Sequence, residues 1–243
     1  LWAYAPSIHE GLNAVIYDFT PSRAGAHART FLADWQGKLV TDDYSGYKQS
    51  FKQGGITEIA CMAHARRKFY ELHVANQSEI AAQALASFKA LYAIEAEAKD
   101  LTAKEREQRR QEKARPILEK LHDWMLAQRT LVPDGSGTAK ALDYSLKRWA
   151  ALTRYLEDGY VPIDNNHIEQ QIRPLALGRK NWLFAGSLRA GQRAAAVMTL
   201  IQSAKLNGHD PLAYLSDILE RLPTQPNNQI HELLPHHWQP AEQ

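Results

Sequence analysis

Cysteine is almost absent from this sequence: Cys61 stands alone among 243 residues. A single thiol makes no intramolecular disulfide and no Cys-rich zinc finger, so a reducing, cytoplasmic setting is expected. Long hydrophobic runs are missing too. None approaches the ~20 apolar residues of a membrane span, so no membrane association is expected. The opening Leu1-Trp2-Ala3-Tyr4-Ala5-Pro6 lacks the basic flank and apolar stretch of a signal peptide. It also lacks an initiator methionine, so the natural protein is expected to begin upstream of Leu1. Charge of one sign is scarce: 29 Lys and Arg against 27 Asp and Glu leave a net charge of +2. A globally basic nucleic-acid binder is therefore not indicated, and any basic surface must come from local clustering. No internal repeat is present, which excludes a solenoid.

What is present suffices for a core, since 44% of the residues are hydrophobic and 23% charged. Leu1 to Ala5 and Ala14 to Phe19 are short aromatic and β-branched runs separated by turn-like residues, which predicts a hairpin. Ala28, Phe31, Leu32 and Trp35 share a helical stripe over 26–35, closed by Gly37. Strands are expected over 38–41 and 57–62, the second running into the basic segment from His64 to Phe69. From about residue 79 to 158 only helical spacing recurs. Ile80, Ala84, Phe88, Leu91 and Tyr92 form one stripe, and Ile117, Leu121, Trp124 and Met125 another. Leu142, Leu146, Trp149 and Leu156 form a third, stopped by Gly159. Thr102 and Glu105 fit a capping box. The mixed-charge run from Lys99 to Arg115 is expected to be a solvated face. Asp164 fits an N-cap, with Pro174 expected to kink or end the helix that follows. An extended piece is expected over Asn181 to Ala185 and a helix over 191–206. Another helix should open at Asp210-Pro211 and end at Pro223, with a loosely packed tail from Thr224. The segments so defined are 1–74, 75–160 (a helical insertion), 161–190 and 191–243.

Two places could carry chemistry. Asp42, with Asp43 beside it, follows a strand, where α/β sites tend to form; the alternative is an acidic turn before an aromatic pair. Glu169 lies early on a helix with Arg173 four residues on; the alternative is a surface ion pair. Cys61 and His64 have C-x-x-H spacing, but zinc needs about four ligands and no second pair is evident.

The run from Ile163 through Asp164-Asn165-Asn166-His167-Ile168-Glu169 and Gln170-Gln171-Ile172-Arg173-Pro174 to Ser187 resembles the signature of the insertion-sequence-66 family of DDE transposases. Phe31 to Tyr47, Cys61 to Phe69, Ala204 to Gly208 and Glu232 to Trp238 agree with it, so the resemblance covers essentially the whole chain. It implies an α/β fold: a ribonuclease H-like mixed sheet, its first strand missing here, with an all-helical insertion and a helical C-terminal region. It implies that Asp42 and Glu169 are catalytic metal ligands for Mg²⁺ or Mn²⁺, and that the first Asp of the triad lies on a strand upstream of Leu1. Asp43 falls where the family usually has Gly and is expected to be a bystander. Without the missing strand, the hairpin and the Asp42 strand should lose a shared partner, which would weaken the fold.

The implied activity is metal-dependent DNA cleavage and strand transfer by two-metal phosphoryl transfer. Two alternatives remain: a catalytically incomplete DNA-binding part of such a protein, or a helical interaction module with incidental acids. DNA, as transposon ends and target, is the expected partner. A homo-oligomer on DNA and a nucleoid-associated location in a bacterial cytoplasm are implied as well. Candidate DNA contacts are Arg66, Arg67 and Lys68, in a stretch without acids, and Arg173, Arg179 and Lys180 near Glu169, with Arg189 and Arg193 beyond. Gly191 is expected to open a helix that seats a phosphate. Trp182 would stack on an unpaired base or belong to the core. Cys61, His64, Asp164 and Asn165 are expected to be structural residues near the site.

Overall fold

The computed structural model describes residues 1–178 and 185–240. The expected extended piece at Asn181 to Ala185 lies almost wholly outside them. The fold is mixed α/β and mostly helical, with small sheets.

In chain order, β1 (Trp2–Tyr4) and β2 (Ile16–Asp18) pair antiparallel as the predicted hairpin. Helix α1 is Gly25–Phe31, shorter than expected. Strand β3 (Gly37–Thr41), a 3₁₀ turn, helix α2 (Lys48–Lys52) and β4 (Ile56–Ala60) form a unit in which β3 and β4 run parallel. A parallel pair needs a crossover of about a dozen residues, which the turn and α2 supply. Helix α3 (Met62–Asn76) contains the basic segment, and its Met62, Ala65 and Phe69 are buried at helical spacing. Then come α4 (Glu79–Glu97), α5 (Ala103–Arg109), a π-helical turn (Arg110–Ala114), α6 (Arg115–Leu131), α7 (Gly137–Lys147) and α8 (Trp149–Thr153). The last helices are α9 (Asn166–Gly178), α10 (Leu188–Leu206) and α11 (Pro211–Arg221). Among the described residues no helix is long and apolar enough to cross a membrane.

The chain divides into two compact units, residues 32–165 and residues 1–31 with 166–243. In the first, β4 and α3 pack with α4, α6 and α7 around Ile59, Phe69, Phe88, Leu91, Leu118, Met125 and Leu142. The predicted stripes supply much of this core. The capping box forms in both directions, Thr102 N–H to Glu105 and Glu105 N–H to Thr102 Oγ1.

The run from Lys99 to Arg115 is not a purely solvated face. Arg106 and Arg110 are 4% and 0% exposed. Arg106 donates to the carbonyls of Ala98, Lys99, Leu101 and Gly159. Arg110 clasps both oxygens of Glu95 and donates to the carbonyls of Tyr155, Asp158 and Val161. Guanidinium supplies five donors in a fixed fork, so it can satisfy several carbonyls where a helix end and a loop leave them exposed. Gly159 also packs directly on α5: a Cβ there would fall 1.8 Å from the Ala103 carbonyl oxygen.

In the other unit, α10 covers the outer edge of β2. Thr199 Oγ1 accepts from the Tyr17 amide, and Ser203 Oγ accepts from Val15 N–H and donates to Val15 O. Hydroxyl groups thereby satisfy edge backbone that would otherwise need a strand. Helix α9 continues through Pro174 to Gly178 instead of ending there. Proline forfeits one backbone bond but does not by itself stop a helix whose apolar face is held by packing. Here Ile168 and Leu175 pack with Val15, Tyr17 and Ala195. The tail is docked, not loose. Leu233 and Trp238 are buried with Tyr214 and Ile218 of α11, Tyr214 donates to the Leu233 carbonyl, and Trp238 Nε1 donates to Asp217. Large aromatics with a polar tip bury area and a hydrogen bond together, which a reading based on Pro and Asn content misses.

Candidate functional site

Asp42 follows β3, and Cys61 follows β4. Because Thr41 and Ala60 are in register, these residues leave the sheet at the same end, the carboxyl end of the parallel pair. That is where open α/β sheets leave a crevice. The segment before α9 returns to this end. Met62 N–H donates to Ile163 O, and Asn165 N–H donates to Cys61 Sγ at 3.5 Å. Tyr92 of α4 donates its hydroxyl to Asp164 at 2.6 Å. Burial and the adjacent Asp164 carboxylate hold the Tyr92 hydroxyl firmly protonated, so it stays a donor. The bonds of Asn165 to Cys61 and of Tyr92 to Asp164 tie the segment before α9 to the end of β4 and to α4, and His64 lies half-buried on the first turn of α3.

Cys61 is buried, and burial pushes its thiol up to about 11. A thiol held neutral is a poor metal ligand, since the thiolate is the species that binds. Among the described residues no group of three or more His, Cys, Asp and Glu side chains is placed to hold a metal ion.

Asp42 is exposed, and its Oδ1 accepts from the Tyr44 amide at 3.1 Å, an Asx turn that orients the carboxylate. Among the described residues its Oδ2 has no hydrogen-bond partner. An oriented carboxylate with an open oxygen fits one ligand of a hard divalent cation. Asp43 has φ +74°, a left-handed conformation that residues with a Cβ seldom adopt. This gives a physical reason why glycine suits the position. Asp43 makes ion pairs with Arg148 and, at 3.9 Å, with Lys48. Arg148, at the junction of α7 and α8, also donates to Glu58 on β4 at 2.8 Å. Nearby, Arg154 donates to the Glu58 carbonyl. Arg148 carried no local signal in the sequence, because its partners lie far away along the chain.

Glu169 lies in the first turn of α9, half-buried, in the other unit. The helix starts at Asn166, one residue later than an Asp164 cap would place it. Tyr17 of β2 donates its hydroxyl to the Gln171 carbonyl at 2.6 Å and anchors α9 within this unit. Arg173 is exposed, and among the described residues it makes no ion pair with Glu169. Arg189 and Arg193 are exposed on α10. Gly191 does not open that helix: α10 starts at Leu188, capped by Ser187 Oγ accepting from Ala190 N–H. Gly191 is there for close packing, since a Cβ would sit 2.3 Å from the Phe19 ring. Arg179, Lys180 and Trp182 lie outside the described residues.

Arg66, Arg67 and Lys68 are exposed on α3, opposite the buried Ala65 and Phe69. Arg66 lies over the Tyr70 ring and Lys68 over Tyr144, at 5.7 and 5.8 Å. These contacts restrain the long side chains on the surface of the helix.

Residues 1–193 match the model of the transposase IS66 family, and residues 199–236 match the IS66 C-terminal element. Three similar proteins come from Sinorhizobium fredii (strain NBRC 101917 / NGR234). Uncharacterized protein y4hP is 38% identical over 94% of this chain, y4jD 35% over 93%, and y4qI 38% over 99%. This chain spans 44%, 46% and 47% of their respective lengths. No solved structure matches it. The family matches span nearly all of the sequence, the Asp42 turn and the Glu169 helix included, and the chain belongs to the IS66 family of transposases.

Proposed function

We propose that this chain is part of a transposase that cleaves and joins DNA by metal-dependent phosphoryl transfer on a ribonuclease H-like core, with Asp42 and Glu169 as ligands of Mg²⁺ or Mn²⁺. The observation that carries this reading is Asp42 itself: an oriented, exposed carboxylate with an open oxygen at the carboxyl end of a parallel strand pair, in a chain of this family. When bound, a pair of divalent ions activates the attacking oxygen and neutralises the leaving one. The protein's part is then to fix carboxylates and hold DNA. The Asx turn orients Asp42, and Tyr17 anchors the helix that bears Glu169. The exposed cations of α3, with Arg173, Arg179 and Lys180, contact backbone phosphates without reading sequence. Trp182 stacks on an unpaired base. Transposon ends and target are the DNA partners, bound by a homo-oligomer in the bacterial nucleoid.

The test is Mn²⁺ titration followed by the EPR signal of free Mn²⁺, with nicking of duplex DNA measured in parallel. Asp42→Asn and Glu169→Gln should each weaken Mn²⁺ binding by at least about tenfold, the usual scale for loss of one ligand or its support. Wild-type Mn²⁺ affinity in both variants would overturn the assignment. Salt-dependent DNA binding without Mn²⁺-dependent nicking would favour the DNA-binding but catalytically incomplete alternative.

A further inference from the structure

We infer that Arg148 is a positioning residue for the Asp42 carboxylate, acting from the helical region through Asp43. The inference rests on the reading of Asp42 as a metal ligand. Three points hold the turn that follows β3. Thr41 O accepts from Cys61 N–H at 3.1 Å, which fixes the strand end. Tyr44 N–H bonds Asp42 Oδ1, which orients the carboxylate. Between them Asp43 adopts φ +74°, a left-handed conformation that aspartate tolerates better than most residues but less readily than glycine. With Lys48 more distant at 3.9 Å, the close ion pair on its carboxylate is made by Arg148. Its side chain is 11% exposed and lies 5.7 Å from the Tyr144 ring, with one amino group on Asp43 and the other on Glu58. The guanidinium therefore bridges the Asp43 turn and β4, the strand that pairs with β3. A planar fork can serve both carboxylates at once, which an ammonium cannot do with the same geometry.

The bridge also settles a charge problem. Asp42, Asp43 and Glu58 would otherwise leave three carboxylates around one turn and the adjacent strand, and like charges disfavour one another. Arg148 bonds Asp43 and Glu58 and also acts electrostatically on Asp42, so one guanidinium offsets the repulsion among all three carboxylates. Asp43 is thus not a bystander. Where glycine would adopt the left-handed turn unaided, this chain has an aspartate and an arginine that restrains it.

Positioning and simple electrostatics predict opposite signs. A nearby cation by itself repels Mn²⁺, so its removal would tighten metal binding. If Arg148 positions Asp42, its removal must loosen the turn and weaken binding. The experiment compares Arg148→Gln, Asp43→Ala, Asp43→Gly and the Asp43→Gly/Arg148→Gln double variant. It reads amide exchange at Tyr44 in metal-free protein, relative to Cys61, and Mn²⁺ affinity by EPR. Arg148→Gln should speed Tyr44 exchange about tenfold or more while Cys61 stays protected, and should weaken Mn²⁺ binding about fivefold. Asp43→Ala, which keeps the Arg148–Glu58 bond and so the fold, should do the same. The double variant should recover most of both losses, because glycine needs no restraint; a purely structural role for Arg148 gives no such rescue. Unchanged Tyr44 exchange in both Arg148→Gln and Asp43→Ala, tighter Mn²⁺ binding, or absence of rescue would overturn the inference. If Asp42→Asn binds Mn²⁺ like wild type, the proposed function fails; the exchange data still decide whether Arg148 holds the turn.

Discussion

Replacing Arg110 with methionine tests whether the helical region depends on a buried guanidinium. The side chain is fully buried, with 2.8 and 2.6 Å bonds to Glu95 and 2.8, 2.8 and 2.9 Å bonds to the carbonyls of Tyr155, Asp158 and Val161. Methionine keeps much of the volume and removes every donor. Glu95, whose side chain is 12% exposed, is left as a carboxylate without its cation, and three carbonyls lose this donor, although Asp158 O keeps the Val161 amide. Removal of one partner from a buried pair costs about 3–5 kcal/mol, and we expect Arg110→Met to fall in that range. Urea unfolding followed by far-UV circular dichroism gives the number, provided the slope of the transition is unchanged. The Glu95→Leu/Arg110→Met double variant divides the loss. Removing the stranded carboxylate should restore part of it, whereas the three carbonyls should keep the protein at least about 1 kcal/mol below wild type, the scale of unsatisfied buried acceptors. A single-variant loss under about 1 kcal/mol would refute the reasoning, since buried pairs that matter cost several times that. Complete recovery in the double variant would show that the carbonyls do not depend on Arg110.

Two further outcomes follow from the packing. Gly159→Ala should destabilise the 32–165 unit by about 3 kcal/mol or more, because the added methyl meets the Ala103 backbone, which cannot rotate away as a side chain can; a thermal midpoint equal to wild type would contradict this. Cys61, its thiol pushed up to about 11 by burial, should be inert to iodoacetamide at pH 8 and become reactive with the urea transition, since only about one thiol in a thousand is ionised and the residue is covered; rapid labelling of the folded protein would refute the buried placement.

Local patterns in the sequence determined local structure. Aromatic and β-branched runs around a turn made the β1–β2 hairpin, apolar spacing marked the helices from α4 to α7, and Thr102 with Glu105 marked a helix start. Asp210-Pro211 likewise opened α11. Each of these depends on neighbours within about a turn or two, so the information is contiguous. The position of Asp42 after a strand and of Glu169 early on a helix was legible for the same reason, and so was the family, whose motif is a continuous run.

Tertiary structure alone decided the rest. Charge patterning predicts solvent for Arg106 and Arg110, yet both are buried, because the carbonyls and the carboxylate that satisfy them come from residues distant in the chain. Gly159 and Gly191 read as helix punctuation; their contacts with Ala103 and Phe19 require close approach. The tail reads as loose by composition, but Tyr214 and Asp217 give Leu233 and Trp238 a place to bury. Asp43 reads as a spare acid until φ +74° and Arg148 are seen together. A buried charge or a strained backbone persists only when groups remote in sequence compensate it, and only the folded chain brings those groups together.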